Sequence, residues 1–233
     1  MKVLFALGAV AALLLSSGLA LAGADQTPPT TTLQPGGIQG TNGWWRSTVD
    51  VRVVCTDNLQ CDKSQYSLDG SNFVDYKLPF QVTGDGVHMV LAYSIDKNGN
   101  HEAVKTLLVK IDSVAPTGAL VQPQPGTLSV NDMVAPLPVA LPYTVIVGDK
   151  TLTSTGADAT SGVGSVAYFI DGKLRDTATS APYAWTWPAG KEAAGGHRID
   201  IVVSDVAGNT VHSGLDVVTV PMTTEGLQAT LPS

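Results

Sequence analysis

Val87-His-Met-Val-Leu-Ala-Tyr-Ser-Ile95, running straight into Asp96-Lys-Asn-Gly-Asn100, is the stretch that decides the fold. Val87, Met89, Leu91, Tyr93 and Ile95 stand at every second place, the side-chain period of a strand with one face on a core. On this reading His88 falls on the opposite face and looks to solvent. The Asp-x-x-Gly-Asn turn that ends the run returns at Asp205–Asn209. Asp-Gly hairpin signals stand upstream of each, at Asp69-Gly70 and Asp171-Gly172, and Asp25-Gln-Thr-Pro-Pro-Thr30 is echoed by Asp112-Ser-Val-Ala-Pro-Thr117. Matching turn signals in matching order predict two copies of one β-rich module. They specify architecture and name no ligand.

Residues 1–22 read as a cleaved secretory leader: Lys2, the apolar run Val3–Leu15, then Ala20-Leu21-Ala22. The run is shorter than the ~20 residues that span a bilayer, so no membrane insertion is expected after cleavage. The formal charge is −7 and the basic residues are scattered singly, which speaks against nucleic acid or acidic lipid as a partner. Cys55 and Cys61, close together in an exported chain, predict a local disulfide.

Residues 23–37, rich in Thr, Pro and Gly, read as a flexible tether. A first sandwich is expected over 38–114 and a second over 115–221, with a loose tail at 222–233. Val49, Val51, Val53 and Cys55 alternate with Asp50, Arg52 and Val54. Tyr66 and Leu68 share a face, and Leu107, Val109 and Ile111 form a closing strand. In the second copy, strands are expected at 143–147, 166–170, 183–187, 199–203 and 215–220, while 156–164 and 189–196 read as loops, the latter with room for a turn of helix that its glycines argue against. No segment after the leader sustains a helical period. The predicted class is all-β, two tandem β-sandwiches following a cleaved signal peptide.

The series Asn42-Gly-Trp-Trp45, Val51-x-Val53-x-Cys55-Thr-Asp57, Tyr66-Ser-Leu-Asp-Gly70 and Tyr93-Ser-Ile-Asp-x-x-Gly-Asn100 resembles bacterial and archaeal immunoglobulin-like extracellular repeats. The second copy is similar in Asp158-Ala-Thr-Ser-Gly-Val163, Tyr168-Phe-Ile-Asp-Gly172, Pro182-Tyr183 and Asp205-Val-Ala-Gly-Asn209. The first copy departs from the pattern, carrying a cysteine pair where Ser-Gly-Val is usual. The resemblance covers nearly all of the mature chain and implies tandem immunoglobulin-like sandwiches of the kind found on adhesins and beside glycoside hydrolase domains. It implies fold far better than function.

Two readings attach to Asp57, Asp96, Asn100, Asp158, Asp205 and Asn209. In the first they cap turns: Gly99 and Gly208 supply positive φ, the asparagines tolerate the left-handed region, and the carboxylates accept backbone N–H groups. In the second they hold calcium, a hard cation wanting about six to eight oxygens. Each turn offers only two or three, so Asp57, Asp158 or the linker Asp112 would have to converge on it. No cofactor or metal is expected from the turns alone, and calcium is expected to act weakly at most.

Trp44 and Trp45 are adjacent and point to opposite faces of a strand, one into the core and one toward solvent. Tyr183, Trp185 and Trp187 share a face. Such a row can stack on sugar rings, although a module poor in aromatics also spends tryptophan in its core. No His-Glu-x-x-His, Cys-x-x-Cys or Gly-x-Ser-x-Gly spacing occurs in the sequence, so no catalytic machinery is predicted. The expectation is a secreted, non-catalytic protein for surface display, adhesion or interaction, with an unknown surface protein or glycan as partner. A pair of carbohydrate-binding modules is the alternative.

Overall fold

The computed structural model describes residues 24–221; the expected leader and C-terminal tail lie outside them. In the first copy the strands are β1 (Thr30–Gly36), β2 (Trp44–Trp45), β3 (Val49–Thr56), β4 (Cys61–Leu68), β5 (Val74–Asp75), β6 (Phe80–Val82), β7 (Gly86–Asp96) and β8 (Lys105–Ile111). They form two sheets, β1-β3-β6 and β2-β8-β7-β4-β5, which close over Val49, Val51, Val82, Val90, Val109 and Ile111. The second copy runs β9 (Thr117–Gln122), β10 (Leu128–Val130), β11 (Met133–Val134), β12 (Thr144–Val147), β13 (Lys150–Ala157), β14 (Val163–Ile170), β15 (Lys173–Ala178), β16 (Tyr183–Trp187), β17 (Gly195–Asp205) and β18 (Thr210–Val220). Its sheets are β11-β10-β12-β18-β17-β14-β15 and β16-β13-β9, around a separate core built on Trp187, Tyr168, Leu152 and four isoleucines. The all-β prediction holds. One three-residue 3₁₀ turn, Ala189–Lys191, lies inside the stretch expected to be a loop.

Two stretches expected to be irregular carry strand, and short strands such as β5, β6, β9, β10, β11 and β15 were not expected. The tether is a strand from Thr30 to Gly36, fully paired with β3 from Thr30↔Thr56 to Gly36↔Asp50. Its Thr and Pro content disguised an edge strand, which needs partners on one side only and tolerates proline. The region 156–164 is likewise entered by β13 and left by β14.

The faces of β7 are the reverse of the sequence reading. Val87 and Met89 are 60% and 38% exposed, whereas Val90, Ala92, Ser94 and Asp96 are buried. The His88 side chain is only 18% exposed and lies on the core side. Register decides the matter: His88 pairs with Val109 and Val90 with Leu107, and antiparallel partners share a face. Alternation counts apolar residues, but the inward set of β7 ends in polar ones. Ser94 and Asp96 are accepted there because their partners are supplied. Ser94 bonds Thr31 and Ser64, and its N–H donates to Glu102.

Cys55 and Cys61 are joined, with a Cα–Cα distance of 6.4 Å, tying the end of β3 to the start of β4. The two copies meet through a short polar joint. The Thr41 N–H donates to the Ala207 carbonyl (2.9 Å), and its hydroxyl and the Asn42 amide both donate to the Val206 carbonyl (2.7 and 2.9 Å). A Cβ on Gly40 would overlap the Ala207 carbonyl, so this close approach requires glycine.

Candidate metal centres

The Asp-x-x-Gly-Asn turn folds the same way twice. Gly99 and Gly208 have φ of 87° and 95°, as expected. The asparagines are not in the left-handed region; their amides are used instead. Asn100 Nδ2 donates to Asp96 Oδ2 (2.7 Å) and to the Asp25 carbonyl (3.0 Å). Asn209 Nδ2 donates to Asp205 Oδ2 (2.8 Å) and to the Asp112 carbonyl (3.0 Å). Each asparagine therefore straps the segment that leads into its module onto the turn.

That strap draws three carboxylates together in each copy. Asp25, Asp57 and Asp96 present oxygens within 4.8 Å of one another, and so do Asp112, Asp158 and Asp205. Asp96, Asp112 and Asp205 are buried and the others half-buried. Each group of three comes from a leading segment, a loop after the second long strand and the Asp-x-x-Gly-Asn turn. Asp112 was the linker residue singled out as needed for convergence. Asp25 was missed, and the echo of Asp25–Thr30 in Asp112–Thr117 was the signal that could have found it.

The same carboxylates cap backbone N–H groups, oxygen by oxygen. Asp57 Oδ2 accepts the N–H groups of Leu59 and Gln60 (3.1 and 2.9 Å); Asp158 Oδ1 accepts those of Thr160 and Gly162 (3.1 and 2.7 Å). Asp112 Oδ2 accepts the Ser161 N–H (3.1 Å). What capping leaves over is informative. Asp25 Oδ2 and Asp57 Oδ1 are buried with no hydrogen-bond partner, two unsatisfied acceptors in one carboxylate group. A buried, unpartnered acceptor is costly, and a cation is a group that satisfies it. The N–H of Thr27 and the amide of Asn58 hold the Asp25 carboxyl below its usual range. Burial pushes Asp96 upward, but the Asn100 amide and the backbone N–H groups of the turn outweigh it, so Asp96 also lies low. Carboxylate oxygens from three segments suit a hard divalent cation, with water and carbonyls completing the shell.

The aromatic residues are distributed differently from the stacking reading. Trp187 is 0% exposed, in the core of the second copy, so it offers no face to a sugar. Tyr183 and Trp185 are partly buried against the same core. Trp45 packs on the first core, and Trp44 faces outward beneath the Lys110 ammonium, 5.3 Å from its ring centre. The expected opposite facing of this pair is confirmed.

Residues 142–201 match the family model described as Bacterial Ig domain. The resemblance drawn from the turn motifs is thus confirmed in the second copy. Among solved structures the chain is similar to the fibronectin(III)-like modules of Clostridium thermocellum CbhA. Identity is 16%, with 88% of this chain and 100% of that one covered, at a TM-score of 0.43. It is also similar to the D00-D0 domain of intimin (15%, 82% and 100% covered, TM-score 0.34). A third likeness is to a bacterial ice-binding adhesin (15%, 85% and 67% covered, TM-score 0.33). Among curated proteins none matches. No helix among the described residues is long and apolar enough to cross a membrane.

Proposed function

We propose that this chain is a non-catalytic pair of immunoglobulin-like modules acting outside the cell in surface display or adhesion. Calcium, held by the three aspartates at the leading end of each module, would fix the modules in line. The observation that carries this reading is the recurrence of the three-carboxylate group, with Asp112 in the connecting segment itself. Asp112 N–H donates to the Trp45 carbonyl of the first module (2.8 Å), while its side chain serves the second, so an ion there would brace the joint. A stiff tandem suits a protein that must project a surface away from its anchor. The capping bonds support a structural role over a catalytic one, because they fix the carboxylates on turns.

Calcium would supply charge neutralisation among Asp112, Asp158 and Asp205, and among Asp25, Asp57 and Asp96; the chain's own contribution is to hold those oxygens in place. Small-angle scattering with millimolar calcium and with chelator tests the bracing. A more extended, narrower particle with calcium is expected, and superimposable curves would reject it. A binding screen against immobilised surface proteins and a glycan array tests the adhesive reading. Protein ligands are expected, and selective glycan binding abolished by Trp44→Ala would favour the carbohydrate alternative.

A further inference from the structure

Both modules fasten their Asp-Gly hairpin in one way. Asp69 (φ 50°) and Gly70 (φ 77°) make the tight turn after β4, and Asp171 (52°) and Gly172 (73°) make it after β14. The Asp69 N–H donates to the Met89 carbonyl (2.9 Å) and Asp69 Oδ1 accepts the Met89 N–H (2.8 Å). Its other oxygen, Oδ2, lies 2.7 Å from His88 Nδ1, and His88 Nε2 lies 3.0 Å from the Gly84 carbonyl. In the second module Asp171 makes the same pair of bonds with Arg198 (2.9 and 2.8 Å). Asp171 Oδ2 lies 2.7 Å from His197 Nδ1, and His197 Nε2 lies 3.1 Å from the Ala193 carbonyl. In each case the carbonyl belongs to the residue four places before the histidine.

A carboxylate and a carbonyl can only accept, and a neutral imidazole carries one N–H. A neutral ring would therefore aim one lone pair at an acceptor. Only the imidazolium satisfies both contacts. We infer that each module is fastened by a proton: the imidazolium of His88, and likewise of His197, clasps the Asp-Gly hairpin to the loop before its strand, and loss of that proton opens the clasp.

The charged surroundings agree. His88 meets Asp69; Asp85, on the neighbouring loop, is turned away to the N–H and hydroxyl of Ser113 (3.0 and 2.9 Å). His197 meets Asp171 and, farther off, Glu192, which pairs with Arg175 (3.2 Å). Arg198, next in sequence, is held by Asp200 and Asp216 (3.0 and 3.1 Å), and Tyr143 lines the same shallow groove. The Trp187 ring lies edge-on to His197, with ring centres 5.8 Å apart. The bond to Asp69 is the main cause raising His88 above its ordinary value, and the bond to Asp171 does the same for His197.

The test is long-range ¹H–¹⁵N correlation on the labelled full chain, with His88→Gln and His197→Gln for assignment and the urea-unfolded chain as reference. At pH 7 about a quarter of unfolded histidines are charged. A larger fraction of His88 and of His197 than of the unfolded histidines is expected to carry both ring protons there. As pH rises past each midpoint, amide exchange of Met89 and Arg198 is expected to accelerate at least tenfold beyond its ordinary base catalysis. Asp69→Asn should lower the His88 midpoint and leave His197 unmoved. If that variant does not fold, the wild-type titration decides alone. Single neutral tautomers at pH 7, or proton loss without a change in exchange, would overturn the inference.

Discussion

Asp112→Asn should change sign with calcium. The oxygens of Asp112, Asp158 and Asp205 lie within 4.8 Å of one another. At an effective dielectric near 20, two like charges so spaced repel by about 3 kcal/mol; the N–H groups that Asp112 and Asp205 accept, and solvent and salt reaching the group through half-buried Asp158, bring each repulsion toward ~1 kcal/mol. Neutralising Asp112 removes two of the three repulsions. The amide oxygen can still accept the Ser161 N–H, but the weaker bond from Val114 (3.3 Å) is lost, costing about 1 kcal/mol. The net expectation in chelator is a second module stabilised by about 1–2 kcal/mol, a midpoint rise on the order of 5–10 °C. With calcium at a hundredfold excess over its dissociation constant, the wild type gains about 2.7 kcal/mol per site, and the variant, one ligand short, gains far less. The order of the two proteins should therefore invert between chelator and calcium. Differential scanning calorimetry in both buffers reads it. A variant less stable than wild type in chelator, or wild-type melts that superimpose with and without calcium, would refute the reasoning.

Reducing and alkylating the Cys55–Cys61 bridge should cost the first module about 2 kcal/mol, since the loop spans a separation of six, and leave the second transition in place. Intact mass before reduction confirms the bond. Trp187→Ala, at a fully buried site, should destabilise the second module by about 3–5 kcal/mol, read by urea denaturation, while leaving the first unchanged. For pH, the sign follows from the two partners. His88 and His197 are raised above 6.5, so their contribution is complete below that value and is lost as pH rises through the folded-state midpoints. Asp69, lowered chiefly by its bond to His88, and Asp171, lowered chiefly by the Arg198 N–H, lie below 3.8. Their contribution is complete above that value and is lost as pH falls. Denaturant midpoints should peak between about pH 4 and 6.5, and Asp69→Asn with Asp171→Asn should flatten both limbs.

Turn chemistry was the legible part of the sequence. Asp69-Gly70 and Asp171-Gly172 adopt the paired positive φ that an Asp-Gly hairpin signal implies, because the requirement is local to the two residues. Facing was not legible on β7, because it depends on which strands flank it. Val109 and Ile111 on β8, not the apolar count of β7, choose the inward side. Thr30–Gly36 was misjudged for a related reason: an edge strand is defined by pairing with Val53 and Arg52, which lie far along the chain. The grouping of the carboxylates was half legible. The turn aspartates declare themselves by spacing, whereas Asp25 joins them through Asn100, which holds its carbonyl across the module, and Asn58, which bonds its carboxylate.

The two copies serve as controls for one another. Both keep the three carboxylates, the strapping asparagine and the histidine clasp, although the residues around these features differ. They part where their surroundings differ. In the second turn Val206 is half-buried and Ala207 fully buried beneath the joint; in the first the equivalent Lys97 and Asn98 are exposed, with Lys97 paired to Asp62. The outer face of β7 presents Val87 and Met89 where β17 presents Gly196 and Arg198, the latter neutralised by Asp200 and Asp216. The sandwich thus accepts either an apolar or a charged outer face, so neither is required for folding. What both copies retain at their leading ends is a group of three carboxylates, and in the first copy two of its buried oxygens, Asp25 Oδ2 and Asp57 Oδ1, are left over by capping; that surplus is the strongest physical reason to look for calcium there.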